Sequence, residues 1–221
     1  MRLVIFDVDG TLVDSQGDIV ASMTAAFEAS SLPVPPRAAI LGIVGLSLPR
    51  AMAQLAPEAE GQWDRMVEDY KASYQRLRVQ NGATSSPLYP GIREVIDQLA
   101  AEDETLLAIA TGKSRRGLLA LLDNHGWQKT FVSLQVADDH PSKPHPSMLH
   151  AALTETGMEA TQAVMIGDTT YDMEMAAAAG VGFIGVGWGY HAPAALTGAR
   201  EIVGSAGDLL SAITRATGAS A

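Results

Sequence analysis

The sequence predicts an α/β protein in which a parallel sheet is covered on both faces, with an all-helical unit inserted early in the chain. Three observations carry this. Short apolar runs alternate with helical segments through most of the 221 residues, the pattern of strand–helix–strand units. Residues able to do chemistry recur just past the strand ends, where such sheets hold ligands. The stretch between the first two strands holds helical patterns and no convincing strand.

The elements follow in order. Leu3-Val4-Ile5-Phe6 reads as a short buried strand. Helical patterns then cover residues 18–30, 48–55 and 61–79, with Pro33, Pro35 and Pro36 as early punctuation. Turn-forming residues from Asn81 to Pro87 close the segment. Beyond it, helices are expected over residues 90–101, 114–124, 146–156 and 170–179. Strands are expected over residues 106–110, 131–136, 163–166 and 183–186. The expected division is a core of residues 1–14 and 86–221 and a helical cap of residues 15–85.

Composition narrows the function. With 47% hydrophobic and 18% charged residues, the chain can bury a sizeable core. A net charge of −10 and no basic run argue against a nucleic-acid partner. The absence of cysteine excludes disulfides, zinc–thiolate sites and thiol nucleophiles. No apolar run is long enough for secretion or membrane insertion, so a cytoplasmic location is expected.

Four polar features sit at strand ends. In Asp7-Val8-Asp9-Gly10-Thr11, the two aspartates lie two apart on an extended chain and point the same way. Two like charges that close need a cation or a shared proton. Thr111-Gly112 follows the second strand, and Lys143 lies in a Pro-Ser-Lys-Pro loop. Gly167-Asp168-Thr169-Thr170-Tyr171-Asp172 follows Val164-Met165-Ile166. Acids from two strand ends suit Mg²⁺, which takes oxygen ligands, and Lys143 suits a bound anion. Each piece alone has a plainer reading as a helix cap, a turn residue or a surface lysine. The set is what points to a site.

These four motifs, in this order, resemble those of the haloacid dehalogenase-like hydrolases, and the subgroup similar to phosphoglycolate phosphatases. The resemblance implies a Rossmann-like core with a mobile helical cap. It implies that Asp7 is the nucleophile and Asp9 the acid and base, with Thr111 and Lys143 completing the catalytic set. Asp7, the Asp9 carbonyl, Asp168 and Asp172 would serve Mg²⁺. Thr11, Thr111, Gly112 and Lys143 would hold the phosphate and its loop, and Arg50 in the cap is a candidate for substrate choice.

Departures within the family select the reaction. Dehalogenases of this type lack the second aspartate of the first motif, which is present here as Asp9. Phosphomutases of the β-phosphoglucomutase type carry an early cap histidine, and the matching place is Ile19. The first cap helix lacks the Schiff-base lysine of phosphonoacetaldehyde hydrolases. The expected function is Mg²⁺-dependent hydrolysis of a small phosphate monoester, with 2-phosphoglycolate as the candidate and an aspartyl-phosphate intermediate. A phosphomutase, a pyrophosphatase or nucleotide phosphatase, and a catalytically dead binding module are the alternatives. Gly112-Lys113-Ser114 imitates part of a phosphate-binding loop, but the required earlier glycine falls on Leu107. Trp188 and Tyr190 have two readings, the rim of the site and ordinary packing, and packing is the favoured one.

Overall fold

In the computed structural model, which describes residues 1–82 and 85–218, six strands form one parallel sheet. They are β1 (Arg2–Phe6), β2 (Thr105–Thr111), β3 (Ser133–Val136), β4 (Ala163–Gly167), β5 (Gly182–Val186) and β6 (Glu201–Val203). Their spatial order is β3-β2-β1-β4-β5-β6. The sheet therefore grows outward from β1 in both directions, which makes the carboxyl end of β1 the topological switch point where a crevice opens.

Strand alternation sorts the core into two layers. Val4 and Phe6 of β1 join Leu107, Ile109, Val164 and Ile184 on one face. Leu3 and Ile5 join Ala108, Met165 and Phe183 on the other. The first face is covered by α5 (Ile92–Ala100), α6 (Arg115–His125) and α9 (Leu209–Thr217), through residues such as Ile96, Leu118 and Ile213. The second is covered by α7 (Ser147–Thr156) and α8 (Thr170–Ala178), through Met148, Leu149 and Met175. The helix starts follow local chemistry. The Ser114 hydroxyl accepts the Gly117 N–H to cap α6, and Thr169 with Asp172 forms a capping box at α8.

Between β1 and β2 lie α1 (Gln16–Ala29), α2 (Arg37–Leu41), α3 (Leu48–Leu55) and α4 (Trp63–Asn81). They enclose an apolar cluster of their own, including Met23, Phe27, Ile40, Met52 and Met66. The closing turn falls partly on Ala83 and Thr84, which lie outside the described residues.

The sequence reading missed three elements. α2 has five residues and β6 three, too few for a periodic signal. The other, α9, has its apolar residues at helical spacing, with Leu209, Ala212 and Ile213 buried. The third strand starts at Ser133 rather than two residues earlier. Phe131 leaves the strand path to pack edge-on against Trp127, at 6.0 Å between ring centroids.

Candidate active site

The site forms where β1 ends. Val8 turns into the core while Asp7 and Asp9 take the opposite side. Gly10 then bends the chain at φ +85°, and its N–H donates to the Val13 carbonyl at 3.0 Å. A Cβ here would lie 2.2 Å from Asp168 Oδ2. Glycine is required both for the turn and for this approach.

Behind the turn, Asp7, Asp168 and Asp172 each offer a carboxylate oxygen, and these atoms lie within 4.8 Å of one another. All three residues are buried. Lys143, 1% exposed, reaches Asp172 Oδ1 at 2.6 Å and Asp7 Oδ1 at 2.8 Å. The remaining oxygens differ in how they are held. The Thr11 hydroxyl donates to Asp168 Oδ1 at 2.9 Å, and the Tyr190 N–H donates to Oδ2 at 2.7 Å. The Thr169 N–H and hydroxyl both donate to Asp172 Oδ2. Asp7 is held less fully: the Lys143 ion pair is the one polar side-chain contact that its oxygens make among the described residues.

Charge explains what this cluster can take. Three buried carboxylates against one buried ammonium leave two negative charges, which one divalent cation cancels. Burial, with Asp172 adding to it and Lys143 opposing it, pushes the Asp7 carboxyl up to about 7. Burial, then Asp172 and Asp7, likewise push Asp168 well above the carboxylate range. Burial pulls Lys143 down, but Asp172 and Asp7 more than offset it and hold the ammonium charged. An all-oxygen donor set around the less fully held Asp7 carboxylate fits Mg²⁺.

Asp9 belongs to a separate network. Its Oδ1 accepts from Lys113 Nζ at 2.6 Å and from the Ser15 hydroxyl in a short bond. Lys113 also donates to the Tyr74 hydroxyl of α4 at 3.1 Å, and the Ser15 N–H donates to the Tyr190 hydroxyl at 3.0 Å. Asp9 is thus clamped from the sheet side and the helical side together.

The helical unit closes directly over these residues. The Ser47 N–H donates to Ser142 Oγ at 2.8 Å, and the Tyr171 hydroxyl donates to the Gly42 carbonyl at 3.0 Å. At Gly112, a Cβ would sit 2.7 Å from the Gly45 carbonyl oxygen. Replacing Gly112 by alanine is expected to hold the helical unit off its seat. It should cost about 10–100-fold in kcat/KM, with thermal unfolding little changed, as steady-state kinetics and calorimetry would show.

Between the two units lies a cavity of about 320 Å³. Asp7, Asp9, Thr111 and Gly112 line it. Lys143, Asp168 and Asp172 stand buried behind Asp7. Thr11 is fully buried and spends its hydroxyl on Asp168, so it holds the loop and does not face the cavity. Arg50 is exposed on α3 and is not among the lining residues. The sequence reading missed Lys113, Ser15 and Tyr74, and favoured packing for Tyr190. Lys113 follows Gly112 directly, and that adjacency was the available signal. Trp188 and Tyr190 do more than pack: the Trp188 indole N–H donates to the Thr11 carbonyl at 3.2 Å, and Tyr190 holds both Asp168 and Ser15.

Comparison with known proteins gives a consistent picture. A family model described as haloacid dehalogenase-like hydrolase matches residues 4–186. A Dickeya dadantii protein named "Probable phosphatase IndB" is 36% identical, covering 94% of each chain. A phosphoglycolate phosphatase of Haemophilus influenzae is 29% identical, over 86% of this chain and 87% of its own. A crystal structure of a hydrolase from Pseudomonas syringae superposes with a TM-score of 0.85 at 26% identity, covering 97% of this chain and 99% of its own.

Proposed function

The chain belongs to the haloacid dehalogenase-like hydrolases and is a phosphatase of that superfamily; from this premise we propose that it hydrolyses a small phosphate monoester through an aspartyl-phosphate on Asp7. The observation that carries the reading is the buried Asp7 carboxylate, held by no partner other than the Lys143 ion pair and facing a cavity that also holds Asp9. Such a carboxylate is free to attack phosphorus. Lys143 beside it holds a positive charge where the transferring phosphoryl group brings negative charge.

In the first step an Asp7 oxygen bonds to phosphorus as the bond from phosphorus to the ester oxygen breaks. Asp9 gives its proton to the departing alkoxide, which leaves as the alcohol. In the second, Asp9 takes a proton from water as the water oxygen bonds to phosphorus. The acyl-phosphate bond breaks, and phosphate leaves with Asp7 restored. Lys113, Ser15 and Tyr190 keep Asp9 aimed at the cavity throughout. Thr111 and the Gly112 N–H are assigned to the phosphoryl oxygens. The helical unit acts as the cap that excludes bulk water.

Mg²⁺ would be held by Asp7, Asp168 and the Asp9 carbonyl, with Asp172 supporting, and when bound it neutralises the charge of the phosphoryl group. Ile19 lines the cavity where mutases of this family carry a histidine, so hydrolysis is favoured over phosphoryl return. 2-Phosphoglycolate, the substrate in the name of several relatives, is the first ester to try.

The test is phosphate release from a generic aryl phosphate with Mg²⁺ and with EDTA; release independent of metal would remove the Mg²⁺ assignment. A second readout needs no turnover. Mg²⁺ at about 100 times its Kd should add about 2.7 kcal/mol of stability, seen as a rise in Tm that Ca²⁺-free EDTA buffer abolishes.

A further inference from the structure

The cavity is larger and more apolar than a two-carbon acid requires. With the cap seated, 320 Å³ remains, within the range of pockets that hold drug-sized ligands. Part of its lining is a continuous apolar surface, which favours an apolar group on the ligand. Its cap-side wall is Ile19 and Met23 of α1, Ile43 and Val44 of the following loop, and Leu48 of α3. The cation beside the aspartates, Lys113, is already committed to Asp9 and Tyr74. A carboxylate turned toward the Ile19, Met23 and Leu48 side of the cavity would meet an apolar wall, at a desolvation cost. Arg50, the expected partner for it, does not reach the cavity lining.

The lining is different around α4 and α6. There Lys71, Arg78 and Arg116 contribute three cations in a chain whose net charge is −10. Arg78 and Arg116 form no ion pair among the described residues. Such a patch draws in an anionic ester from solution. The apolar wall then receives what the phosphate is attached to.

We infer that the ester this site takes carries its phosphate on an alcohol with an apolar body, aromatic or branched aliphatic, and not on a two-carbon acid. The inference rests on the phosphatase reading above and refines it. Leu48, half-buried on the wall, is one of the residues that set the preference.

The experiment compares esters whose leaving groups are chemically alike: ethyl phosphate and 2-phenylethyl phosphate, with 2-phosphoglycolate and 4-nitrophenyl phosphate alongside. With full-length protein and Mg²⁺, kcat/KM for the phenylethyl ester should exceed that for ethyl phosphate and phosphoglycolate by more than about tenfold, the scale of discrimination an apolar pocket gives. Leu48→Gln should shrink that ratio. Calorimetric titration with 2-phenylethylphosphonate and methylphosphonate, neither of which turns over, should show the same order in Kd. A ratio below about tenfold, or a preference for phosphoglycolate, overturns the inference and leaves the phosphatase standing. Absence of phosphate from every ester, 4-nitrophenyl phosphate included, overturns both.

Discussion

Replacing Asp7 by asparagine is expected to lower kcat by at least about 10⁴-fold, the scale seen when a covalent nucleophile is removed, while the chain stays folded. The amide cannot attack phosphorus, and no neighbouring carboxylate can take over. Asp168 has both oxygens bonded to Thr11 and Tyr190. Asp172 is held by Thr169 and Lys143. Asp9 is turned to Lys113 and Ser15. Stability should hold or rise, because the substitution removes one of three crowded buried charges at almost constant volume. Rapid-quench experiments on the native protein should trap phosphate on Asp7, and Asp7→Asn should trap none. Full activity in the variant would end the assignment.

How much of this could be read in advance depends on the range of the interaction. The strand of Leu3 to Phe6 was legible because parallel strands buried on both faces are written as continuous apolar runs. Asp7 and Asp9 were legible because carboxylates at the end of such a run have no packing role. Asp172 was ambiguous for a good reason. It closes the capping box of α8 with one oxygen and pairs with Lys143 through the other, so the structural and the chemical reading are both met. Lys113 was set aside because its local string imitates a phosphate loop, whereas its partner Asp9 lies in the loop that follows the neighbouring strand. Its contact with Tyr74 depends on how the helical unit seats, which no short window of sequence encodes. Tyr190 is further still, linked to Asp168 through a backbone N–H that any residue type could supply. Arg50 is the opposite case: a plausible side chain in the right segment, which the fold leaves exposed and outside the cavity lining.

Lys143 carries the second large effect, and here stability and activity should fall together. Its ammonium is the buried cation between Asp7 and Asp172. Lys143→Met keeps the aliphatic stem and deletes the charge, leaving a buried cluster of acids uncompensated. Breaking a buried pair from one side costs about 3–5 kcal/mol, which urea unfolding without metal would register as a lower midpoint at unchanged slope. Mg²⁺ should recover part of that loss, since it meets the same excess of negative charge. Combining Lys143→Met with Asp172→Asn removes a charge of each sign, so the double variant should unfold closer to the native midpoint than the single one. Activity should not follow. Phosphoryl transfer still lacks the cation that Lys143 sets beside Asp7, so kcat in the double variant should stay as low as in Lys143→Met alone. Stability recovering while activity does not separates the two tasks of one side chain. If both recover, Lys143 only balances the charge of Asp172 and has no part in the reaction.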